Sequence, residues 1–497
     1  MATMLAQPSF LPTRRGRLTL MLLGAVAFLD FVDASIVNVA LPSIRRDLHM
    51  SVQSLQWIPS AYLLTYGGFM LLGGRAADLI GRRRVLVTGT VVFAVSSFAA
   101  GLAGNSGVLI GARLAQGLGA AMMLPAALSI LTTTFEEGTD RHKALGVWGG
   151  IAGLGSAVGV LLGGVLSQEA SWRWVFLVNP PICLLVLAAT FSLIRGQGHR
   201  TRLADFDVLG AVLSTGAMLL LVYALVRAPT VGWGSARTIG ELAGAAALLV
   251  AFVMNEQRSR KPLLPLSIFR IKGLAAANVT QLIGVASFIA MFFFPTLYMQ
   301  DVLGYSPINT GLAYLPVTAG VGMAAGITPK LLGRIGTRPI FVAATLLASG
   351  GVFWLSRVPV HGSYLTDILP GMVIMSIGLG AEFVAATTAA NAGVPPDKAG
   401  LAAALLNASQ QVGGALGLAI FSAIATSRTT HLLATHTSLP DALDSGFHRA
   451  LLAASIFLLA AALIALRTTN TRGAPGQGDS ERPIEVGSAV NANTSAN

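Results

Sequence analysis

Long apolar runs, separated by short polar segments, follow one another along almost the whole chain. A helix needs roughly 20 apolar residues to cross a bilayer. The runs lie at 18–40, 57–73, 85–104, 107–131, 144–167, 173–194, 207–226, 238–255, 273–299, 308–332, 339–356, 367–391, 402–425 and 447–466. The pattern predicts an all-α membrane protein with fourteen transmembrane helices.

The composition favours the same class. Hydrophobic residues make up 54% of the chain and charged residues 11%, whereas soluble domains contain about 25% charged residues. In a soluble protein the net charge of +12 would suggest nucleic acid, but these charges are scattered at helix ends and no nucleic-acid-binding motif accompanies them. We therefore expect the lipid bilayer as a partner, and no nucleic acid.

The basic residues are divided unequally between the two sides of the predicted bundle. Most of the 33 lysines and arginines fall in segments on the side of the N-terminus, and such positive segments normally face the cytoplasm. An even number of spans returns the chain to its starting side. The sequence thus predicts a multi-pass protein of the plasma (inner) membrane with both termini in the cytoplasm.

Two short loops indicate an internal repeat. Residues 74–85 read GRAADLIGRRRV and residues 329–340 read PKLLGRIGTRPI, which matches Gly81 with Gly336. The predicted parts are a cytoplasmic tail at 1–17, a six-helix bundle at 18–195, a linker with two extra helices at 196–260, a second six-helix bundle at 261–467 and a disordered cytoplasmic tail at 468–497. Residues 1–12 are also expected to be disordered. The alternative is that any short cytoplasmic loop is rich in glycine and arginine.

Ionisable residues inside the apolar runs are candidates for proton coupling. Asp30 and Asp33 are three positions apart, on one side of a helix, and an Asp at the bilayer centre costs roughly 2.5–3.5 kcal/mol on insertion scales. Asp33 and Arg113 each lie about 10 Å from the outer end of their spans, so they can pair. A carboxylate that alternates between an ion pair and a protonated form would couple protons to transport. The alternatives are a static ion pair for Asp33 and a wet cavity wall for Asp30.

Other side chains are candidates for binding the transported compound. Glu382 is the only acid deep in the C-terminal half, where it would bind a cationic substrate or a second proton. The alternative is a glutamate hydrogen-bonded to neighbouring Ser and Thr. Aromatic rings could stack on a flat cation, although lipid-facing or core positions are equally open to them. The aromatic candidates are Phe31, Tyr62, Tyr66, Phe288, Phe292 and Tyr298.

Glycines and charges between and within the helices are candidates for conformational control. In the loop at 74–84, glycines permit a tight turn, the acid can cap a helix or pair with an arginine, and the arginines anchor one face. The residues are Gly74, Asp78, Gly81, Arg82 and Arg83. Retention of positive charge in the cytoplasm would explain the arginines alone.

The fifth span has the second set of candidate hinge residues. Gly155, Gly159 and Gly163 recur at four-residue spacing, which indicates close helix packing and a stiff hinge for alternating access. The alternative is a stripe of small residues that faces lipid.

Several of these motifs resemble those of a known family. The loop at 74–84 resembles the signature of the major facilitator superfamily, and LIGARLAQGLGAA (109–121) is similar to its fourth-helix motif, with Arg113, Gln116 and Gly117. The glycines of 149–164 resemble its antiporter motif. Five further segments resemble the fourteen-span drug:proton antiporter (EmrB/QacA-like) family. They are DASIVNVALP (33–42), WRWVFLVNPPI (172–182), FDVLG (206–210), GYSPINTGLAYLP (304–316) and the block at 393–420.

This resemblance implies two six-helix bundles of the major facilitator fold with two extra central helices. It also implies proton-coupled efflux of lipophilic, cationic drugs by alternating access. Three positions depart from the family pattern: Leu79 replaces a basic residue, Val160 replaces a proline, and Asp30 is additional to the first-span acid, Asp33. The first two departures weaken the expected gating salt bridge and the expected kink of the fifth span.

Absent features exclude other classes. One cysteine, Cys183, excludes an internal disulfide, and the seven histidines fall in loops or at helix ends, so we expect no metal site. The chain has no Walker A lysine and no nucleophile elbow. We expect no cofactor, no enzymatic activity and a monomer. The alternatives to drug efflux are a dedicated exporter of one endogenous metabolite or antibiotic, a facilitated importer, and a non-transporting receptor or lipid flippase.

Overall fold

The computed structural model describes residues 13–135, 139–194, 207–259, 262–395 and 398–471, and these residues contain helices and no strand. The α-helices are α1 Arg14–Asp47, α2 Val52–Leu55, α3 Trp57–Ile80, α4 Arg82–Gly101, α5 Ser106–Thr134, α6 Thr139–Glu169, α7 Trp174–Leu177, α8 Asn179–Leu193, α9 Val208–Val231, α10 Ala236–Arg258, α11 Leu274–Leu297, α12 Pro307–Ala313, α13 Leu315–Ile335, α14 Thr337–Leu355, α15 Leu369–Asn391, α16 Ala399–Ala434 and α17 Leu439–Ala465. A 3-10 turn occupies Leu266–Arg270, and π-helical turns occupy Tyr298–Val302 and Tyr364–Ile368.

Twelve helical segments in the described part of the chain are long and apolar enough to cross a membrane. The helices α3 and α6 are not among these twelve, although they contain 24 and 31 residues. The predicted all-helical membrane fold is therefore confirmed, whereas the count of fourteen spans stays a prediction.

Helices of the first and second halves of the chain pack in the same pairwise pattern. In the first half, α1 packs on α6, while α3 and α4 both pack on α5. In the second half, α11 packs on α16, while α13 and α14 both pack on α15. Equivalent pairing in the same chain order is the structural counterpart of the faint sequence repeat.

The two matched glycines also have matching backbones. Gly81 joins α3 to α4 with φ 108°, and Gly336 joins α13 to α14 with φ 101°. Residues with a side chain rarely adopt this conformation. Both loops therefore require glycine at the same point of the turn, which supports the equivalence that the sequence suggested.

The ends of the helical region differ slightly from the predicted boundaries. The first helix begins at Arg14 rather than at 18, because the Thr13 hydroxyl accepts a hydrogen bond from the Gly16 amide at 2.9 Å. At the other end, Thr471 is held by the α13–α14 turn, since its carbonyl accepts from the Thr337 amide at 3.1 Å. The predicted disordered tails are residues 1–12 and 468–497; residues 468–471 are described, and the remainder of both tails lies outside the described residues.

The helices α9 and α10 form a hairpin beside the two halves. Its first helix packs on α3 and on α16, and these two helices also pack on each other. The approach is close, because a Cβ added at Gly68 of α3 would lie 2.2 Å from the hydroxyl of Thr215 on α9. The hairpin is therefore attached where the first half meets the second.

Candidate functional site

A buried ion pair joins α1 to α5. The Nη1 atom of Arg113 lies 2.7 Å from Oδ2 of Asp33, and both side chains are almost completely buried. Arg113 also donates through Nε to the carbonyl of Ile58 at 3.1 Å. The structure thus brings together the two residues whose equal depths predicted a contact.

Side-chain amides complete the surroundings of the Asp33 carboxylate. Its Oδ1 atom accepts from Gln116 Nε2 at 2.7 Å and from Asn179 Nδ2 at 2.8 Å. The Ser97 hydroxyl lies between these amides and accepts from Asn179 at 3.0 Å. Four helices, α1, α4, α5 and α8, therefore contribute one polar residue or more to a cluster that fully satisfies a carboxylate. We call Asp33, Ser97, Arg113, Gln116 and Asn179 the Asp33 cluster.

Aromatic rings cover the guanidinium of the Asp33 cluster. The Arg113 guanidinium lies 4.3 Å from the ring centroid of Tyr62 and 5.7 Å from that of Phe176. Such contacts stabilise a cation by about 0.5–2 kcal/mol, with the larger value in desolvated surroundings. The rings keep the charge of Arg113 away from solvent on the sides that the hydrogen-bonding partners leave open.

Asp30 has a separate set of partners. Its Oδ1 accepts from the Tyr62 hydroxyl at 2.6 Å, and its Oδ2 accepts from the Tyr66 hydroxyl at 3.4 Å. Tyr62 thus contacts Asp30 with its hydroxyl and Arg113 with its ring face, so one side chain links both acids of α1. The two tyrosines, predicted to stack on a substrate, bind Asp30 in this structure.

Glu382 lies in the second half without a hydrogen-bonding partner. It is 1% exposed, and neither carboxylate oxygen has a partner among the described residues. The carboxylate packs on Gly284 of α11, where an added Cβ would lie 2.0 Å from Oε1. One turn earlier on α11, Oε1 of Gln281 is also buried and without a partner. The bonds to Ser or Thr that would make Glu382 purely structural are not formed.

The other aromatic candidates have different positions. Phe31 is half-buried near α6, whereas Phe292 and Tyr298 belong to a hydrophobic core cluster that residues of both halves form. Phe292 stacks on Tyr314 with the centroids 4.7 Å apart, and the Tyr298 hydroxyl donates to the carbonyl of Pro359 at 2.5 Å. Phe288 meets the ring of Phe292 edge-on at 4.9 Å. In this conformation the rings of Phe292 and Tyr298 pack against the protein itself.

The glycines of α6 face α1, which bears both acids. An added Cβ would lie 3.1 Å from the Phe28 carbonyl at Gly155, 2.9 Å from the Val32 carbonyl at Gly159, and 2.5 Å from the Ile36 carbonyl at Gly163. These distances leave no room for a side chain. The stripe therefore fixes the distance between α1 and α6 along the segment that includes Asp30 and Asp33.

The loop predicted at 74–84 is wrong in extent: residues 74–80 end α3 and residues 82–84 begin α4, and only Gly81 lies between the two helices. Arg82 Nη1 donates to the Thr133 hydroxyl at 2.9 Å, and the Arg83 guanidinium lies 5.0 Å from the ring centroid of Phe191. Gly81 has the positive φ described above, whereas Gly74 has only an ordinary contact near its Cβ position, at 3.7 Å from Pro125. The side chain of Asp78 lies outside the described residues.

The two halves meet closely at the end of the bundle where α1 ends, which we call the Asp47 end. Arg45 Nη1 lies 3.1 Å from Asp301 Oδ2, and Gln300 Nε2 donates to the carbonyl of Val39 at 3.0 Å. A Cβ added at Gly164 of α6 would lie 2.7 Å from the Pro307 carbonyl of α12. These contacts close the Asp47 end.

Several glycines of α6 and α13 have open space around them. Added Cβ atoms would meet nothing within 4 Å at Gly146 and Gly150 in the first half of α6, or at Gly322 and Gly326 near the middle of α13. These positions therefore lack the close helix contacts made by the glycines of α6 that face α1.

Three contributors to the Asp33 cluster were not among the predicted site residues: Ser97, Gln116 and Asn179, of which Gln116 was noted only as part of the fourth-helix motif. For Gln116 a signal existed, because it lies three residues after Arg113 and therefore on the same helix face. For Asn179 the signal was weaker: an amide that follows an apolar run and precedes two prolines. Ser97 had none, since serines inside membrane helices usually bond to their own backbone.

Comparisons with known proteins agree with the fold. A family model described as Major Facilitator Superfamily matches residues 23–418. The chain is 40% identical over 429 residues to the puromycin resistance protein pur8 of Streptomyces alboniger, covering 85% of this chain and 84% of that protein. It is 38% identical over 442 residues to the cephamycin export protein CmcT of Amycolatopsis lactamdurans, covering 88% and 89%. A solved bacterial homolog of the human lysosomal transporter Spinster, inward-facing and unoccupied, matches with TM-score 0.66 and 16% identity over 91% of this chain and 97% of that one.

Proposed function

The chain belongs to the Major Facilitator Superfamily, and we propose that it exports lipophilic, cationic drugs across the plasma membrane in exchange for protons. The single observation that carries the proposal is the Asp33 cluster: a carboxylate and a guanidinium held at 2.7 Å inside a membrane helix bundle. Ionisable residues at such depth are rare, and they mark ion and proton pathways in transporters. No enzymatic activity is proposed.

The names of two relatives support export as the direction of transport and antibiotics or drugs as the transported compounds. Two of them are named for puromycin resistance and for cephamycin export, so related chains move antibiotics out of the cell or protect against them. We propose membership of the fourteen-span drug:proton antiporter (EmrB/QacA-like) family, with six-helix bundles at 18–195 and 261–467. The linker at 196–260 adds two helices, and the protein acts as a monomer.

In proton coupling, the contacts of the Asp33 cluster between four helices would depend on whether Asp33 is ionised. An ionised Asp33 holds Arg113, Gln116 and Asn179 together. A proton on Asp33 removes the charge that attracts Arg113 and leaves fewer acceptor positions for the two amides. Because α6 is fixed to α1 by its glycines, loosening the cluster would let these two helices move together relative to α5 and α8.

The conformation fits one step of alternating access. With both termini in the cytoplasm, the closed Asp47 end is the outer end, and we propose that the bundle opens at the inner end. A ligand would then enter from the cytoplasm or the inner leaflet while Asp33 is paired. Protonation from outside, in the opposite conformation, would release the ligand and reset the bundle.

Glu382 supplies the proposed contact for a cationic ligand. Burial of an unpaired carboxylate is unfavourable unless a cation or a proton compensates it. A positively charged substrate nitrogen meets that need, and a second proton would meet it when the substrate is absent. Aromatic contacts would come from Phe31, Tyr62 and Tyr66 in the first half, and from Phe292 and Tyr298 after a rearrangement of the second.

The test is a transport assay with the purified full-length chain in proteoliposomes of bacterial phospholipid. Lipophilic cations such as ethidium, and neutral lipophilic compounds as a comparison, are offered with a pH gradient in each direction and with a protonophore. We expect accumulation only when the compartment that receives the drug is the more acidic one, and no accumulation with protonophore. Transport that ignores the pH gradient would contradict proton coupling, and accumulation with the opposite gradient would indicate an importer.

A dedicated exporter of one antibiotic is the second candidate, favoured by relatives that are each named for a single compound. The compound panel separates the two. Broad competition among unrelated cations supports multidrug efflux, whereas accumulation of one compound that only its close analogues inhibit supports the dedicated exporter.

A further inference from the structure

A groove on the lipid-facing side of the bundle combines a cationic rim with an apolar floor. It measures about 630 Å³ and lies between the α9–α10 turn and the helices α16 and α17. Arg428, Arg449, His431 and Trp233 line its rim, and Ile424, Leu452 and Ile456 line its floor. None of the residues that line it is acidic.

The rim residues lie near one level at the Asp47 end. Arg428 precedes the end of α16 by six residues, or about 9 Å, and Arg449 follows the start of α17 by ten residues, or about 15 Å. Trp233 belongs to the turn that joins α9 to α10 at the same end, and its side chain is half exposed. Tryptophan and arginine at this depth are typical of the boundary between headgroups and acyl chains.

Among the described residues, neither arginine has a negatively charged partner. Arg428 donates through Nε to the Ser445 hydroxyl at 3.2 Å. Arg449 has no ion pair or hydrogen bond with any of the described residues, and its side chain is exposed. The groove therefore presents two uncompensated positive charges above a floor of aliphatic side chains, of which Ile456 is 58% exposed.

We infer that this groove binds an anionic glycerophospholipid. The phosphate would lie between Arg428 and Arg449, and an acyl chain would cover Leu452 and Ile456. A free phosphate would satisfy only the rim, and a neutral lipid only the floor, whereas an anionic lipid matches both. The α10 helix packs on the protein almost entirely through α9. A lipid bound beside Trp233 would therefore add contacts between the α9–α10 hairpin and the helices α16 and α17.

The test measures binding of phosphatidylglycerol to the delipidated full-length protein by native mass spectrometry. We expect the dissociation constant to rise about fivefold in Arg428→Gln and in Arg449→Gln, and about thirtyfold in the double variant, the size expected for one and two basic residues at an anionic surface. Arg449→Lys keeps the charge and should bind like the wild type. Arg357→Gln removes a charge outside the groove and is the matched control.

Three results would overturn the inference. The first is wild-type binding by the double variant, and the second is equal binding of phosphatidylethanolamine. The third is displacement of phosphatidylglycerol by an equal concentration of inorganic phosphate, which would identify a simple anion site. Because Arg449 is exposed and Arg428 is partly exposed, the variants should melt close to the wild-type temperature in lipid-free detergent. This measurement separates loss of the site from loss of the fold.

Discussion

Asp33 and Glu382 are both carboxylic acids buried inside helices, one in each half of the chain, and their surroundings are opposite. Asp33 accepts from a guanidinium and from two amides at 2.7–2.8 Å. Glu382 accepts from none of the described residues and packs on a glycine. Buried polar groups in folded proteins nearly always have partners, so each unpaired one requires a reason.

The different surroundings suit the two acids to two different tasks, proton coupling and binding of a cationic substrate. The partners of Asp33 come from four helices, so a change in its protonation alters contacts between helices. Glu382 has no hydrogen-bonding partner to release among the described residues. We therefore propose that conformational coupling belongs to the first half and that recognition of substrate charge belongs to the second.

The largest expected effect comes from Asp33→Asn, which removes the titratable group and keeps its shape. Proton-driven efflux should fall to the level of vesicles without the protein, because an amide cannot alternate between a charged and a neutral state. Substrate exchange at equal pH on both sides should persist, since it needs no net proton movement. Both rates are measured with the same labelled substrate in proteoliposomes.

Folding must be controlled in this variant, because removing one partner of a buried ion pair costs about 3–5 kcal/mol. Arg113 keeps its contacts with Tyr62, Gln116 and the Ile58 carbonyl, which limit this loss. Asp47→Asn alters an exposed acid on the same helix and should leave driven efflux unchanged. Driven efflux at the wild-type rate in Asp33→Asn would remove Asp33 from the mechanism, and Arg113→Ala should impair driven efflux as severely.

Glu382→Gln should affect substrates according to their charge. The half-saturating concentration of a monovalent cation should rise about tenfold, because a charged hydrogen bond contributes about 1.5–3 kcal/mol. A neutral lipophilic substrate has no charge to lose, so its constant should stay the same. Transport of the two compounds is compared in one preparation.

Two outcomes would oppose the assignment of substrate charge to Glu382. Equal shifts for the cationic and the neutral compound would point to a packing defect at Gly284 rather than to lost charge recognition. Loss of driven efflux with unchanged affinity for both compounds would make Glu382 a second coupling acid. Glu169→Gln, an exposed acid at the end of α6, is the control for overall charge.

Gly159→Ala should disturb the packing of α6 against α1, the helix that bears Asp33, without replacing an ionisable group. The new Cβ would lie 2.8 Å from Ser35 Cβ and 2.9 Å from the Val32 carbonyl, so α1 must shift. Overpacking of this kind costs about 1–3 kcal/mol of stability. We expect a lower melting temperature and driven efflux that is reduced severalfold, with substrate exchange less affected.

The matched control lies on the same helix. Gly150→Ala adds the same methyl group where nothing lies within 4 Å, and alanine favours helix over glycine. Its stability and its efflux should therefore equal or exceed those of the wild type. Similar losses in both variants would mean that α6 needs glycine for flexibility rather than for contact with α1.

The sequence was sufficient for some of these features and insufficient for others. The Asp33–Arg113 contact followed from depth, because the rise of a helix is fixed and two buried opposite charges at one level attract each other. The same reasoning predicted the glycine stripe as a packing surface, but it did not identify α1 as the helix that the stripe contacts. Lengths and apolarity gave the helical fold, since backbone groups in lipid must bond within their own helix.

Other features depend on how helices are rotated about their axes, which spacing does not determine. The Tyr62 hydroxyl donates to Asp30 while its ring covers Arg113, whereas the sequence showed only an aromatic residue inside a predicted span. The isolation of Glu382 was equally unpredictable, since several serines and threonines lie within reach along the chain. The way in which the helices pack side by side determines which of these side chains come into contact.

The smallest expected effect belongs to the Arg45–Asp301 contact, which joins the halves at the Asp47 end without touching either acidic site. Both side chains are partly exposed, and such pairs contribute about 0.2–1 kcal/mol, so Arg45→Gln should shift the balance between closed and open forms by up to about fivefold. The shift is measured as the rate of thiol labelling in Val39→Cys, with the natural thiol removed by Cys183→Ser. Asp301→Asn should raise the rate equally, and the two changes together should add little, because they remove the same contact. Arg46→Gln removes a more weakly interacting neighbouring charge and should raise the rate less than Arg45→Gln does. An equal increase in that control would show that overall charge, rather than this pair, sets the opening of the Asp47 end.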